Sequence, residues 1–261
     1  MQVALINPSE REILRDAGDR MPLGLLYIAQ ELKSHNHCVK VYDLNHDEEE
    51  ETLEEIANNN PRLIGISCLT SPMVNETKRL AKKAMDLNSG KVVIGGYHPT
   101  ILPNDFKDVA DYVVRGEGEY ALECLVDGIK ADEFLFKNGV TNIEKLRPAR
   151  DLVNSGNYNM QMDGMRTATM ITSRGCPNEC VFCGNQRNKP RYTDYDTIDQ
   201  ELEQIANQGY EAVYFLDDVF TLNKDRAITI AGMAHRKALP FRCTTRANYI
   251  NENLVRGLST F

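Results

Sequence analysis

Thr169-Met170-Ile171-Thr172-Ser173-Arg174-Gly175-Cys176-Pro177-Asn178-Glu179-Cys180-Val181-Phe182-Cys183-Gly184 runs from an apolar strand signal directly into three cysteines. Their spacing is C-x-x-x-C-x-x-C. Thiolates at i, i+4 and i+7 on a short loop can grip three corners of an iron–sulfur cube. A four-iron cluster ordinarily takes four cysteines. Three leave one iron open to an external ligand, which turns an electron carrier into a site of chemistry. The competing readings are three free thiols or a zinc knuckle, and zinc needs a fourth ligand. No Cys or His stands between Cys183 and His235, so that ligand would be distant.

Downstream, strand and helix signals alternate. Residues 195–208 predict a helix with Ile198, Leu202 and Ile205 inward, opened by Thr193 and Asp196 as a capping pair. Ala212 to Leu216 reads as a strand ending in Asp217-Asp218, 225–237 as a helix, and Phe241 to Thr245 as a strand ending at Arg246. A last amphipathic turn covers 252–258. Repeated strand–helix units with polar residues at strand ends describe part of a (β/α) barrel, whose site lies on the C-terminal face.

Upstream, Val3 to Ile6, Val39 to Tyr42, Leu63 to Ser67, Lys91 to Gly95 and Tyr112 to Val114 are short apolar runs separated by helical patterns. This alternation predicts a doubly wound parallel sheet covered on both faces. Ligands on such sheets sit beyond the carboxyl ends of the strands. The turns there are Ser67-Cys68-Leu69-Thr70, Gly95-Gly96-Tyr97-His98-Pro99-Thr100 and Arg115-Gly116-Glu117-Gly118-Glu119. Paired glycines let backbone approach a ligand, although each turn alone is equally a tight strand-to-helix connection. Asp47 to Glu51, five acids before a helix over 52–57, read as a solvated face.

Composition narrows the class. A formal charge of −8 argues against broad nucleic-acid binding. Cys38, Cys68 and Cys124 read as small buried hydrophobes, which suits a reducing cytoplasm. The start of the chain reads as a strand rather than a leader, and no apolar run is long enough to span a bilayer. The expectation is a soluble cytoplasmic protein with no nucleic-acid or membrane partner.

The cysteine motif, with Phe182 before its last cysteine, resembles the signature of radical S-adenosylmethionine (SAM) enzymes. In that family Cys176, Cys180 and Cys183 would hold a 4Fe-4S cluster whose open iron is chelated by SAM. Reductive cleavage of SAM then yields a 5′-deoxyadenosyl radical. The resemblance implies a small-molecule substrate and an electron donor such as flavodoxin or ferredoxin. Asp217-Asp218-Val219-Phe220-Thr221 is similar to the family's second-strand motif, so Asp217 and Asp218 would position SAM. Their alternative is a turn or helix-capping role. Thr245 and Arg246 stand where a SAM or substrate contact would fall, or where a salt-bridged surface arginine would.

The three upstream turns together resemble the cobalamin-binding domain that precedes many radical SAM domains. By that resemblance Ser67, Leu69, Thr70, Gly95, Gly96, His98, Gly116 and Glu117 line the cobalamin pocket. The D-x-H-x-x-G element of cobalamin mutases, whose histidine ligates cobalt, has no counterpart here. Residues 7–20 contain no histidine, and His46 follows a different strand and lacks the glycine. His98 reads either as a corrin neighbour or as a structural hydrogen-bonder.

The expected organisation is a cobalamin-binding, flavodoxin-like domain over 1–135, a linker over 136–165, and the N-terminal half of a radical SAM barrel over 166–261. About three of the family's six barrel units are present, which implies a fragment, a short gene or a partner that completes the barrel. The resemblance implies methyl transfer to an unactivated centre. The alternatives are a non-methylating cyclase or rearrangement enzyme, and a truncated cofactor-binding module or split-enzyme subunit.

Overall fold

A computed structural model describes residues 1–11, 13, 18–128, 135–137, 141–184 and 188–260. The chain divides into two compact units, Met1–Thr141 with Pro148–Tyr158, and Asn142–Arg147 with Asn159–Phe261. Among the described residues no helix is long and apolar enough to cross a membrane.

The first unit is built on strands β1 (Gln2–Asn7), β2 (Cys38–Asp43), β3 (Leu63–Ser67), β4 (Lys91–Gly95), β5 (Tyr112–Arg115) and β6 (Leu135–Lys137). They form one parallel sheet in the order β2-β1-β3-β4-β5-β6. The order reverses at β1, which lies between β2 and β3, so the crevice there is the topological switch point. Helices α1 (Leu23–Ser34), α2 (Glu49–Asn59), α3 (Val74–Asp86), α4 (Tyr97–Ile101) and α5 (Glu119–Val126) connect the strands.

Ile64 and Ile66 of β3 face Leu53 and Ile56 of α2 and Leu80 of α3 in one buried cluster. Leu5 and Gly65 turn the other way, toward Leu122 of α5, which packs beside α1. Strands buried on both faces need unbroken apolar runs, and each buried Ile or Leu contributes about 1.5–3 kcal/mol. This is the doubly wound arrangement expected. β6 was not, because three residues are too few to show a period.

Two expectations need correction. Cys38 is exposed rather than buried: it opens the edge strand β2 with its side chain on the outward pleat. The acidic run does not precede the helix but enters it, with Glu49, Glu50 and Glu51 forming the first turn of α2. Lys83 Nζ lies 2.6 Å from Glu49 Oε1 and Arg79 Nη1 2.7 Å from the same oxygen, which ties α2 to α3.

The Arg79 hydrogen bonds hold the Glu49 carboxyl down to about 2 from its ordinary 4.5. A depressed carboxyl stabilises the fold above its unfolded pKa and loses that contribution as pH falls through the folded one. Urea midpoints are therefore expected to fall between pH 4.5 and 2, and Glu49→Gln to flatten that limb. Screening of these partly exposed partners limits the effect to about 1 kcal/mol.

The second unit carries β7 (Gln161–Met162), β8 (Met165–Met170), β9 (Ser173–Arg174), β10 (Arg191–Tyr192), β11 (Ala212–Phe215) and β12 (Phe241–Cys243), with helices α6 (Tyr195–Asn207), α7 (Lys224–Arg236) and α8 (Glu252–Leu258). Its sheet runs β12-β11-β8-β7, with β8, β11 and β12 parallel and β7 antiparallel. Three parallel strands with intervening helices match the partial barrel expected. Ile198, Leu202 and Ile205 are fully buried beneath α6. The cap of α6 is Asp194, not the Thr193–Asp196 pair: its Oδ1 accepts the Thr197 amide at 2.7 Å.

Part of the stretch read as linker packs on the first unit. The Ala149 amide donates to Leu26 O, and the Tyr158 hydroxyl donates to Asp43 Oδ2 at 3.1 Å. Residues 142–147, and 159 onward, belong to the second unit.

Candidate functional site

The cysteine loop leaves the second sheet at the end of β8 and is bracketed by β9 and β10, a separate two-stranded ladder. Its two legs pair antiparallel, Ser173 opposite Tyr192 and Arg174 opposite Arg191. Gly175 turns the chain with φ +98°, and a Cβ there would stand 2.6 Å from the Lys189 carbonyl oxygen, so only glycine fits.

Beneath the loop lies Asp217, at the end of β11 and 2% exposed. It accepts the Thr172 amide at 2.6 Å, the Thr172 hydroxyl at 2.7 Å and the Ser173 hydroxyl at 2.6 Å. Burial pushes its pKa up, while the Ser173 and Thr172 donors act against that rise. Asp217, expected to position SAM, directs its carboxylate in this structure to the root of the loop. Its neighbour Asp218 is exposed and accepts the Gly175 amide at 2.9 Å.

Arg226 of α7 was not singled out by the sequence, where it reads as one more helix cation. It is buried, and its Nη2 donates to the carbonyls of Thr172 at 3.0 Å and Thr193 at 2.6 Å. The guanidinium stacks over Tyr192 and Tyr195 at about 5 Å. One side chain thereby clamps both legs of the loop.

The cysteines themselves are half-buried, and Val181 and Phe182 between them are 98% and 89% exposed. Asn178 Nδ2 donates to Cys176 Sγ at 3.2 Å. Arg246 Nη1 lies 3.1 Å from Cys180 Sγ. Ligands of one tetrahedral zinc would bring their sulfurs to about 3.8 Å. Among the described residues the three sulfurs do not gather within 4.8 Å; the group that does is Glu31, His35 and Glu123, where His35 Nε2 pairs with Glu123 Oε1 at 3.1 Å. A cube with one open iron takes one thiolate on each of three irons, so a three-cysteine donor set suits it by its chemistry.

At the carboxyl ends of the first sheet, the three predicted turns come together through side chains. Thr100 Oγ1 donates to Gly96 O at 2.7 Å and accepts the Gly116 amide at 2.9 Å. Gly96 has φ +123°, and a Cβ would lie 2.5 Å from the Cys68 carbonyl oxygen, so the β3 and β4 turns touch only because this residue lacks one. Gly95 is half-buried beside it, and Gly116 is exposed with φ +94° and open space around it. Leu69 and Thr70 are exposed, and so are Tyr97, Ile101 and Leu102, leaving an apolar rim over these turns. Glu117 turns inward, where its Oε2 accepts the Thr141 amide at 2.7 Å.

Ser67 donates to Asn7 Oδ1 at 3.0 Å, and Asn7 donates to Asp43 Oδ1 at 3.0 Å, a buried polar chain across the switch point. Asn7 and Asp43 are residues that sequence reasoning missed, with Asn7-Pro8 at a strand end the available signal for the first; Thr100 was within an informative loop but was given no role.

His98 is buried with both ring nitrogens engaged, Nδ1 at 3.0 Å from Ser71 Oγ and Nε2 at 2.9 Å from Asp105 Oδ2. It stacks edge-on against Phe106. The hydrogen-bonding reading of His98 is the one the geometry supports. His98→Ala is expected to cost about 1–2 kcal/mol in a thermal melt, by leaving these partners unpaired. His46 Nε2 lies 2.7 Å from Gly18 O. A cavity of about 440 Å³ lies elsewhere, beside β2 among Tyr42, Glu51, Glu55 and Tyr158, and includes neither the cysteines nor the glycine turns.

Comparison with known proteins follows this division. The B12 binding domain family matches residues 13–126, and the Radical SAM superfamily matches residues 170–259. An uncharacterized methyltransferase of Pyrococcus horikoshii is 31% identical over 99% of this chain, which spans 62% of that protein. An anaerobic magnesium-protoporphyrin IX monomethyl ester cyclase of Cereibacter sphaeroides is 25% identical over 73% of this chain and is spanned to 36% of its length. The cobalamin-dependent S-adenosylmethionine radical enzyme OxsB, solved with aqua-cobalamin and S-adenosylmethionine, matches the fold with a TM-score of 0.80 at 17% identity, covering 99% of this chain and 42% of OxsB. A B12-binding match over the glycine turns and a radical SAM match over the clamped cysteine loop, in one chain, make it a member of the radical SAM superfamily that carries a B12-binding domain.

Proposed function

We propose that this chain is the cofactor-bearing part of a cobalamin-dependent radical SAM enzyme that transfers a methyl group to an unactivated carbon or phosphorus centre of a small molecule. The observation that carries the reading is the cysteine loop: three thiols on one bracketed loop, with no fourth ligand among them. Cys176, Cys180 and Cys183 would hold a 4Fe-4S cluster, and the donor set fits one. Asp217 and Arg226 hold both legs of the loop, which limits the freedom of the segment that carries the thiols. Phe182 would offer an aromatic face and Asp218 a carboxylate for SAM. Leu69, Gly95, Gly96 and Gly116, with Ser67 and Thr70 at their edge, offer an apolar, backbone-lined seat for cobalamin. His98 and Glu117 support that seat by holding its turns.

When bound, the cluster with SAM supplies one-electron cleavage chemistry and cobalamin supplies a transferable methyl group. The chain's own work is to bind, orient and keep water out. An electron donor of the flavodoxin or ferredoxin class would serve it in a reducing cytoplasm, where exposed thiols such as Cys38 persist.

The test is anaerobic iron–sulfide reconstitution with cobalamin, followed by spectra and turnover of methyl-labelled SAM. Iron and corrin uptake with SAM cleavage, and label in the product, support the proposal. Zinc uptake without iron overturns it. The similarity to a cyclase favours a second reading, ring closure without methylation. SAM cleavage with no label in the product would select that one.

A further inference from the structure

The segment that follows β12 reaches back to the cysteine loop at two points. Arg246 Nη1 stands 3.1 Å from Cys180 Sγ. Three residues on, the Tyr249 hydroxyl donates to Asn178 Oδ1 at 3.2 Å, and Asn178 Nδ2 donates to Cys176 Sγ at 3.2 Å. Among the described residues, no such donor reaches the sulfur of Cys183. The three thiols are therefore unequal: one faces a cation, one a neutral amide held in place by a tyrosine, and one neither.

That asymmetry has an electrostatic consequence. A guanidinium keeps its charge at any working pH. Hydrogen bonds to cluster sulfurs, and positive charge beside them, set the reduction potential by stabilising the form that carries the extra electron. A charged donor to a thiolate is roughly twice as strong as a neutral one, so Arg246 should dominate and Asn178 follow. No bond forms or breaks in this step. One electron passes from the flavodoxin- or ferredoxin-class donor to the cluster, and the nearby charge makes its arrival less unfavourable.

We infer that Arg246, with the Tyr249–Asn178 pair as a weaker neutral contact, sets the reduction potential of the cluster held by Cys176, Cys180 and Cys183. This rests on the cluster reading above and gives Arg246 a role toward the metal centre instead of SAM or substrate.

The test is a redox titration of the reconstituted chain followed by electron paramagnetic resonance, run without SAM so that a contact to SAM cannot contribute. Iron and sulfide are counted in every sample. Arg246→Met is expected to hold wild-type iron while its reduced-to-oxidised ratio at fixed poise falls about tenfold, equal to about 59 mV for a one-electron couple. Arg246→Lys should recover part of the shift, and Tyr249→Phe should move it the same way by less. Unchanged potentials at full iron content overturn the inference. If Arg246→Met loses iron, Arg246→Gln, which removes the charge and keeps a donor, takes its place, and unchanged potentials in Arg246→Gln and Tyr249→Phe overturn it equally. A shift that appears only when SAM is added assigns Arg246 to SAM and overturns it too. A wild-type chain that takes up no iron removes the cluster reading itself, a distinguishable failure.

Discussion

Alanine at Cys176, Cys180 or Cys183 is expected to give a chain that folds as the wild type does, yet retains only background iron and cleaves no SAM. The two halves of this result have separate causes. The fold is indifferent because the sulfurs contribute little to either core: they are half-buried on a loop whose tip residues Val181 and Phe182 stand almost wholly in solvent. The strands beneath that loop are held by β8–β11 pairing and by Phe215 stacked on Phe220 at 4.7 Å, neither of which is built from Cys176, Cys180 or Cys183. Cluster loss is severe because a loop offering three ligands has no spare. With two thiolates, two irons of the cube lie open, and the set no longer distinguishes one position for chemistry. Iron and sulfide analysis, visible absorption and a melting curve on the same sample check both halves. Full cluster content in any of the three variants would falsify the ligand assignment.

The second large effect is expected at Asp217. Asp217→Ala removes the acceptor for one amide and two hydroxyls, all buried at the root of the cysteine loop. Each stranded donor costs on the order of 1–3 kcal/mol. Part is regained by rearrangement of the hydroxyls, so a loss of about 3 kcal/mol is expected in chemical denaturation. The loop should also lose its registry with β11, and with it most of its capacity to assemble a cluster. Asp217→Asn keeps one carbonyl acceptor and is expected to fall between. Asp218→Ala is the control: Asp218 is exposed and accepts the Gly175 amide, and the change should cost under about 1 kcal/mol. If Asp217→Ala melts like the wild type and loads iron normally, the carboxylate is not the anchor of the loop.

The contrast within Asp217-Asp218 shows where sequence reading stops. Both residues sit at a strand end beside a cysteine motif, and both were expected to meet SAM. Strand geometry alternates side chains, so one aspartate points into the sheet's end and the other out. Which of them is which depends on the register of β11 against β8, with Phe215 opposite Met170. Register is a tertiary property, set by pairing between segments far apart in the chain. The same limit applies to Cys38, which reads as a buried cysteine in an apolar run but opens an edge strand on its outward pleat. It applies also to His98: a lone histidine after a glycine pair carries no sign that Ser71 and Asp105 will take both its nitrogens.

What the chain determined by itself was local or periodic. Continuous apolar runs mark strands covered on both faces, helical spacing marks Ile198, Leu202 and Ile205 as an inward stripe, and three cysteines at i, i+4 and i+7 mark a loop built for a cluster. Those signals need only a few neighbouring residues, because backbone periodicity and ligand spacing are short-range. The strand order, the clamp by Arg226 on two carbonyls that lie apart in sequence, the tie of Thr100 to two glycine turns, and the placement of Arg246 on Cys180 came only from the tertiary structure. Each depends on segments that become neighbours only when the sheets close, and their partners are ordinary polar residues that carry no local mark of the contact they will make.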